Sequence, residues 1–231
     1  SKLIWNILAY LLCHRGELVS ADELICMIWK QEKNDNPAGA MRTAIHRART
    51  MLSELTQTSV IPFLISKNGG YMWNPDVEVL VDTDEFDRLT AEIHNGKEET
   101  ALYLAALELY QGDFLPKLSM EPWVMPISAY YHQAFLDVAG QTLALLEKGE
   151  CWEESAALCA RALRIEPYSE GLYQYLMRCR IALGDRDGAV RAYEEMSELL
   201  FDTFGVMPSE ESRQLYREAS RQTNDRTVPI G

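Results

Sequence analysis

Three arginines, Arg42, Arg47 and Arg49, fall within residues 37–53, a stretch that contains no carboxylate. Thr43, His46 and Thr50 are interleaved with them. Guanidinium groups hold phosphate oxygens and read the acceptor edge of guanine; threonine offers its hydroxyl to the nucleic-acid backbone or its methyl to thymine. These residue types at this spacing point toward nucleic acid rather than toward bond-making chemistry. A second basic point follows in Ser66-Lys67-Asn68-Gly69-Gly70, which holds one lysine and no acid.

Nothing else in the chain assembles a catalytic set. His14, His46, His94 and His132 share no metal-ligand spacing with Cys or acid. There is no phosphate-binding loop, no GxSxG and no HExxH, and Gly69-Gly70 is too short to cradle phosphates. The acid pairs Glu98-Glu99, Glu153-Glu154 and Glu210-Glu211 read as favourable charge at helix N-termini. No catalytic residue, cofactor or metal is therefore expected. The five cysteines, Cys13, Cys26, Cys151, Cys159 and Cys179, never occur as CxxC, and most sit among apolar neighbours. They read as mostly buried free thiols in a reducing cytoplasm. No apolar run reaches the length of a membrane span, and the first residues lack the order of a signal peptide, so a cytoplasmic chain with no membrane contact is expected.

Charge divides the sequence. The net charge is −13, which disfavours a general affinity for nucleic acid. Residues 1–75, however, hold eight Lys/Arg against six Asp/Glu, while residues 76–231 hold fourteen against twenty-nine. Any grip on DNA belongs to the first part.

The elements that must carry those basic residues are legible from their punctuation. Residues 3–13 read as a buried helix stopped at His14-Arg15-Gly16. Ser20 and Glu23 form a capping box, and Val19 and Leu24 a hydrophobic staple, for a helix that buries Leu24, Ile25, Ile28 and Trp29 before a polar loop. Asn36-Pro37 opens a third helix running to about Leu55. At about 100° per residue, Met41, Ile45, Ala48 and Leu52 make its inner face. Thr43, His46, Arg47 and Thr50 lie opposite, with Arg42 and Arg49 on one flank. Val60–Ile65, a tight turn and Tyr71-Met72-Trp73 then read as a β-hairpin. Helix, helix, basic helix and basic hairpin in that order spell a winged helix-turn-helix. Periodicity and charge alone leave this basic face open to a second reading, a solvated helix surface.

The segments SKLIWNILAYLLCHRGELVSADELICMIW, NPAGAMRTAIHRARTML and ISKNGGYMWNPDVEV resemble the winged helix of the Streptomyces antibiotic regulatory protein family, which is similar to the effector domain of response regulators. The resemblance implies that the third helix enters the DNA major groove with Arg42, Thr43, His46, Arg47 and Thr50. It implies a backbone-side basic position at Arg49 and a wing tip at Lys67 and Asn68. Ala48 stands where that family has Leu. Family members open with a small antiparallel sheet ahead of the first helix, whereas this sequence opens at that helix, so part of the helix's apolar face is expected to lie uncovered.

The acidic remainder reads as helices with short turns: a helix from Asp82 to about Asn95, another over Thr100–Tyr110, and a long one over 124–148 introduced by Glu121-Pro122-Trp123. Gly149 and Gly184 stand 35 residues apart, near the tetratricopeptide period, and imply a degraded repeat closed by Pro167 and Pro208. VDTDEFDRL, ALELYQGDFLP, EPW, ALRIEPYSEGLYQYLMRCRIALGDRDGAVRAYEEM and FGVMPSEESRQLYREA resemble the bacterial transcriptional activator domain that follows the winged helix in the same family.

The fold class expected is mainly α: a winged helix-turn-helix over 1–78, an all-α tetratricopeptide-like domain over 79–223, and a disordered tail over 224–231. The function implied is a transcription regulator, an activator by resemblance. It would bind double-stranded DNA through the first domain and contact RNA polymerase, or a second copy in a homodimer or cooperative assembly, through the second. The competing expectation is a protein-interaction scaffold or signalling adaptor whose winged helix does not bind DNA.

Overall fold

The structure is a computed structural model that describes residues 2–28, 35–56, 62–97 and 99–221. Trp29, the loop at 30–34, Val60, Ile61, Glu98 and the tail fall outside the described residues. The chain divides into two compact units, residues 1–81 with 120–124, and residues 82–119 with 125–231.

The first unit is a winged helix built from α1 (Lys2–Cys13), β1 (Val19–Ser20), α2 (Ala21–Ile28), α3 (Pro37–Thr56), β2 (Leu64–Lys67) and β3 (Gly70–Trp73). Helix α1 is amphipathic rather than buried all round. Ile4, Ile7, Leu8 and Leu11 are buried at helical spacing while Trp5 is 54% exposed on the other side. They pack with Leu24 of α2, Met41, Ile45 and Ala48 of α3, and Leu64, Tyr71 and Trp73 of the sheet. One half of the predicted capping box is present: the Glu23 amide donates to Ser20 Oγ at 3.1 Å. The Glu23 carboxylate turns elsewhere and accepts the Tyr10 hydroxyl at 2.7 Å. Burial, and then Glu23, push the Tyr10 phenol up to about 12.

The hairpin is a three-stranded antiparallel sheet of order β1-β3-β2, with Val19 opposite Tyr71 and Leu64 opposite Trp73. Val19 and Ser20 thus serve as strand as well as helix entry. Two residues are too short to show an alternation in sequence. The pairing depends on Gly70, where a Cβ would stand 2.5 Å from the Val19 carbonyl oxygen.

Residues Met120–Val124 complete this unit. Trp123 Nε1 donates to Oδ1 of the buried Asn6 at 2.9 Å, its ring stands edge-on to Tyr10 with centroids 5.2 Å apart, and Glu121 lies 3.4 Å from Lys2. Asn6 therefore spends its amide oxygen inside the fold, which removes the cost of burying it unpaired.

The second unit is helical throughout: α4 (Asp82–His94), α5 (Thr100–Leu109), a 3-10 turn at Pro116–Leu118, α6 (Val124–Lys148), α7 (Trp152–Ile165), α8 (Glu170–Ala182), α9 (Arg186–Phe204) and α10 (Glu210–Arg221). Phe135, Val138, Ala139 and Leu143 of α6 lie at the centre of its core, with Phe86 and Leu107 among the α4 and α5 partners and Cys159 and Met177 among those of α7 and α8. The repeat is present, but in a register one residue from the glycine spacing. The left-handed turn residues are Glu150 and Gly184, and the following N-caps are Cys151 and Asp185, each pair 34 residues apart, the tetratricopeptide period. Asp185 accepts from the Gly188 amide at 2.9 Å, whereas Cys151 makes no side-chain cap bond.

The cysteine expectation needs correction. Only Cys159 and Cys179 are buried; Cys151 is half-buried, and Cys13 and Cys26 are exposed. Cys13 is the last residue of α1, and Cys26 stands two positions after buried Leu24, on the far side of α2. All five are free thiols.

Candidate nucleic-acid interface

Helix α3 positions the basic residues. Its first turn is held by Asn36, whose Oδ1 accepts the Gly39 amide at 2.9 Å, and by Pro37 at the first helical position. A side chain at position 39 would collide with the capping Asn36, 2.6 Å away. Met41, Ile45 and Ala48 are buried as the periodicity predicts, Ala44 joins them, and Leu52 is half-buried against the same core. That anchoring turns Arg42, Thr43, His46, Arg47 and Thr50 outward, and all five are exposed.

Among the described residues, Arg42, His46, Arg47 and Lys67 make no side-chain hydrogen bond or ion pair. Their cationic or polar heads need not leave an internal partner to meet a ligand. The two threonines differ. Thr43 donates to the Gly39 carbonyl at 3.0 Å and Thr50 to the His46 carbonyl at 3.1 Å. With the hydroxyl proton turned back into the helix, each offers outward a methyl group and an acceptor oxygen, a surface matched to a thymine methyl rather than to a phosphate oxygen.

Arg49 is the exception on this helix. Its Nε donates to the Leu64 carbonyl at 2.9 Å and its Nη2 to Ser66 Oγ at 2.8 Å. The half-buried guanidinium ties α3 to β2, the strand that leads into the wing. The sequence carried no signal for Ser66 in this role, because the two residues stand 17 positions apart.

The wing turn has the geometry its dipeptide demands. Asn68 and Gly69 have φ of 48° and 74°, between the paired residues Lys67 and Gly70, the two-residue turn whose twist matches a hairpin. The Gly69 carbonyl accepts the Ala21 amide at 3.1 Å, which fixes the wing to the start of α2. Lys67 and Asn68 are exposed at its tip.

Among the described residues no cluster of His, Cys, Asp and Glu could hold a metal ion, and no helix is long and apolar enough to cross a membrane.

The model of the bacterial transcriptional activator domain matches residues 81–219. The chain belongs to that family. It is a family of transcriptional regulators rather than of enzymes. The activator-domain chain is 27% identical over 232 residues to the transcriptional regulatory protein MoaR1 of Mycobacterium bovis, a match covering 94% of this chain and 71% of the relative. It is 25% identical over 209 residues to the regulatory protein AfsR of Streptomyces coelicolor, covering 87% of this chain and 20% of AfsR. The resemblance to the Streptomyces antibiotic regulatory protein family holds. A solved structure of Mycobacterium tuberculosis EmbR in complex with a low affinity phosphopeptide shares the fold, with a TM-score of 0.66 and 19% identity. All of this chain is covered in that match, and 61% of EmbR. The mainly α class, a winged helix with a helical activator domain, is the observed one.

Proposed function

We propose that this regulator binds double-stranded promoter DNA with α3 in the major groove and the β2–β3 turn against the adjacent backbone. In this reading residues 1–78 are the DNA-binding domain. Residues 79–223 serve activation through contact with RNA polymerase or with a second copy on the same promoter. The observation that carries it is the outer face of α3, where Arg42, His46 and Arg47 are exposed and free of internal partners among the described residues. Arg42 and Arg47 read bases or hold phosphates, Thr43 and Thr50 meet thymine methyls, Lys67 and Asn68 meet the backbone, and Arg49 steadies the wing while lying beside the same strand. The acid of the second part repels DNA at long range, so a single copy binds modestly and paired copies bind better.

The test is binding of promoter fragments, selected from the source genome, across a range of salt. Affinity falls steeply as salt rises. Arg42→Ala and Arg47→Ala each cost about 1–3 kcal/mol where the arginine reads a base, and Lys67→Ala weakens all sequences alike and lowers the salt slope by about 1. If both arginine variants bind as the parent does, α3 is not the recognition helix. The excess of acid beyond residue 75 favours one competing reading, a protein scaffold with a silent winged helix. Retention of protein partners with no DNA retained at low salt would establish that reading instead.

A further inference from the structure

A cavity of about 510 Å³ opens in the second unit between the start of α4, the end of α5, the 111–116 loop and α6. Its walls are aromatic: Phe86 and Tyr110 are buried at its base, and Phe114 and Tyr131 are half-buried nearer its mouth. Ring centroids are 5.8 Å apart for Phe86 and Tyr131 and 5.6 Å for Phe114 and Tyr131. The charged residues lining it are both acids, Asp82 and Asp113. We propose that this cavity receives the lysine or arginine side chain of a partner polypeptide.

Four observations choose that occupant. The quadrupole of an aromatic face attracts a cation, and an aliphatic stem packs on the same ring. The carboxylates stand where the charged head would arrive. Asp113 is 61% exposed and held loosely, by the Tyr110 hydroxyl at 3.4 Å and by His132 at 3.7 Å. His132 is itself closer to Glu166, at 3.1 Å. Asp82 accepts the Thr83 amide at 2.9 Å and keeps its second oxygen for a ligand. Third, the hydroxyl of Tyr131 is turned onto Asp87 at 3.0 Å, which adds a carboxylate behind the ring. Finally, the protein already places a cation in this setting on the other side of the loop. The Arg161 guanidinium donates to the Leu107 and Tyr110 carbonyls at the end of α5, and lies 5.9 Å over the Phe135 ring. Leu109, the last residue of α5, and Tyr110 after it line the cavity. The inference gives the protein-contact role of the second unit a chemical address, and rests on that role only for the source of the side chain.

The test is a titration of the isotope-labelled full chain, followed by NMR, with three capped peptides: Gly-Lys-Gly, Gly-Arg-Gly and Gly-norleucine-Gly. A cationic peptide binds saturably, at least tenfold more tightly than norleucine, and shifts signals of Gly112, Asp113, Phe114 and Tyr131. Asp113→Asn, at an exposed position, and Phe114→Ala each weaken it at least fivefold, while promoter DNA binding by the same variants is unchanged. Equal binding of norleucine overturns the proposal. So do unchanged affinities in both variants, or shifts spread without saturation over the acidic helices. Because no DNA or polymerase is present in the titration, its outcome is separable from that of the DNA-binding tests.

Discussion

On α3 of the first unit, Arg42 and Arg47 stand exposed with no partner among the described residues. Several arginines of the second unit are engaged with carboxylates: Arg88 with Glu85 and Glu92, Arg178 with Glu147 and Glu211, and Arg213 and Arg217 with Glu210. Several of these pairs lie one helical turn apart on exposed faces, where an ion pair adds little stability. Their consequence is local: each pair occupies a guanidinium that would otherwise be open to an external anion, while the net charge of the unit is unchanged. Unpaired arginine and paired arginine thus mark two kinds of surface, one ready for a polyanion and the other closed to it.

Charge reversal on each of the two surfaces has the largest expected effect. The double variant Arg42→Glu, Arg47→Glu is expected to lose at least a hundredfold in DNA affinity, about 3 kcal/mol, with its thermal melting unchanged because both side chains are exposed. Arg88→Glu with Arg217→Glu, the matched reversal in the second unit, is expected to leave DNA affinity within a few-fold. If the two doubles lose affinity equally, net charge and not the α3 face governs binding.

Within the first unit, Arg49 is basic, on α3, and yet engaged. Arg49→Ala removes two charge-assisted hydrogen bonds to β2, and is expected to lower stability by about 1.5–3 kcal/mol. Arg47→Ala on the same helix should change it by less than about 0.5 kcal/mol. Chemical denaturation of the two variants checks this. Equal stabilities would mean that the bond to the wing strand carries no weight.

The smallest effect concerns Glu170, a carboxylate hydrogen-bonded by serine hydroxyls and a backbone amide. Burial alone would raise the Glu170 pKa, but the Ser212 and Ser209 hydroxyls, the Ser209 amide and Arg213 together hold it below the usual 4.5. Glu170 Oε1 accepts the Ser209 amide and the Ser212 hydroxyl at 2.6 Å each, and so fastens the start of α10 to α8. A lowered folded pKa means that this stabilisation is present above the unfolded value and is lost as pH falls through the folded one. Protection of the α10 amides from hydrogen exchange, taken relative to the intrinsic rate at each pH, is therefore expected to fall as pH drops below about 4.5, and Glu170→Gln should abolish that dependence. A pH response unchanged in Glu170→Gln would assign it to another group.

Much of the candidate interface was readable in the sequence because its signals are local. The caps at Ser20 and Asn36 act on amides three residues away. The split of α3 into Met41, Ile45 and Ala48 inside and Arg42, His46 and Arg47 outside follows from one helical period. The Asn68-Gly69 turn needs only positive φ at two neighbouring residues. Even the repeat was visible, though aligned on Gly149, since glycine is the usual left-handed residue and Glu150 took that place instead.

By itself, then, the sequence determined which residues face outward on α3, where the helices start and stop, and that basic and acidic residues are segregated along the chain. All of these depend on spacings of a few residues. Tertiary structure alone decided the rest. The pairing of Val19 with Tyr71, the bonds from Arg49 to Leu64 and Ser66, the seat of Trp123 on Asn6 at a separation of 117 residues, and the gathering of four aromatic rings around one cavity join residues distant in the chain. Each such contact exists only after loops have closed and the core has packed, so no local pattern in the sequence announces it.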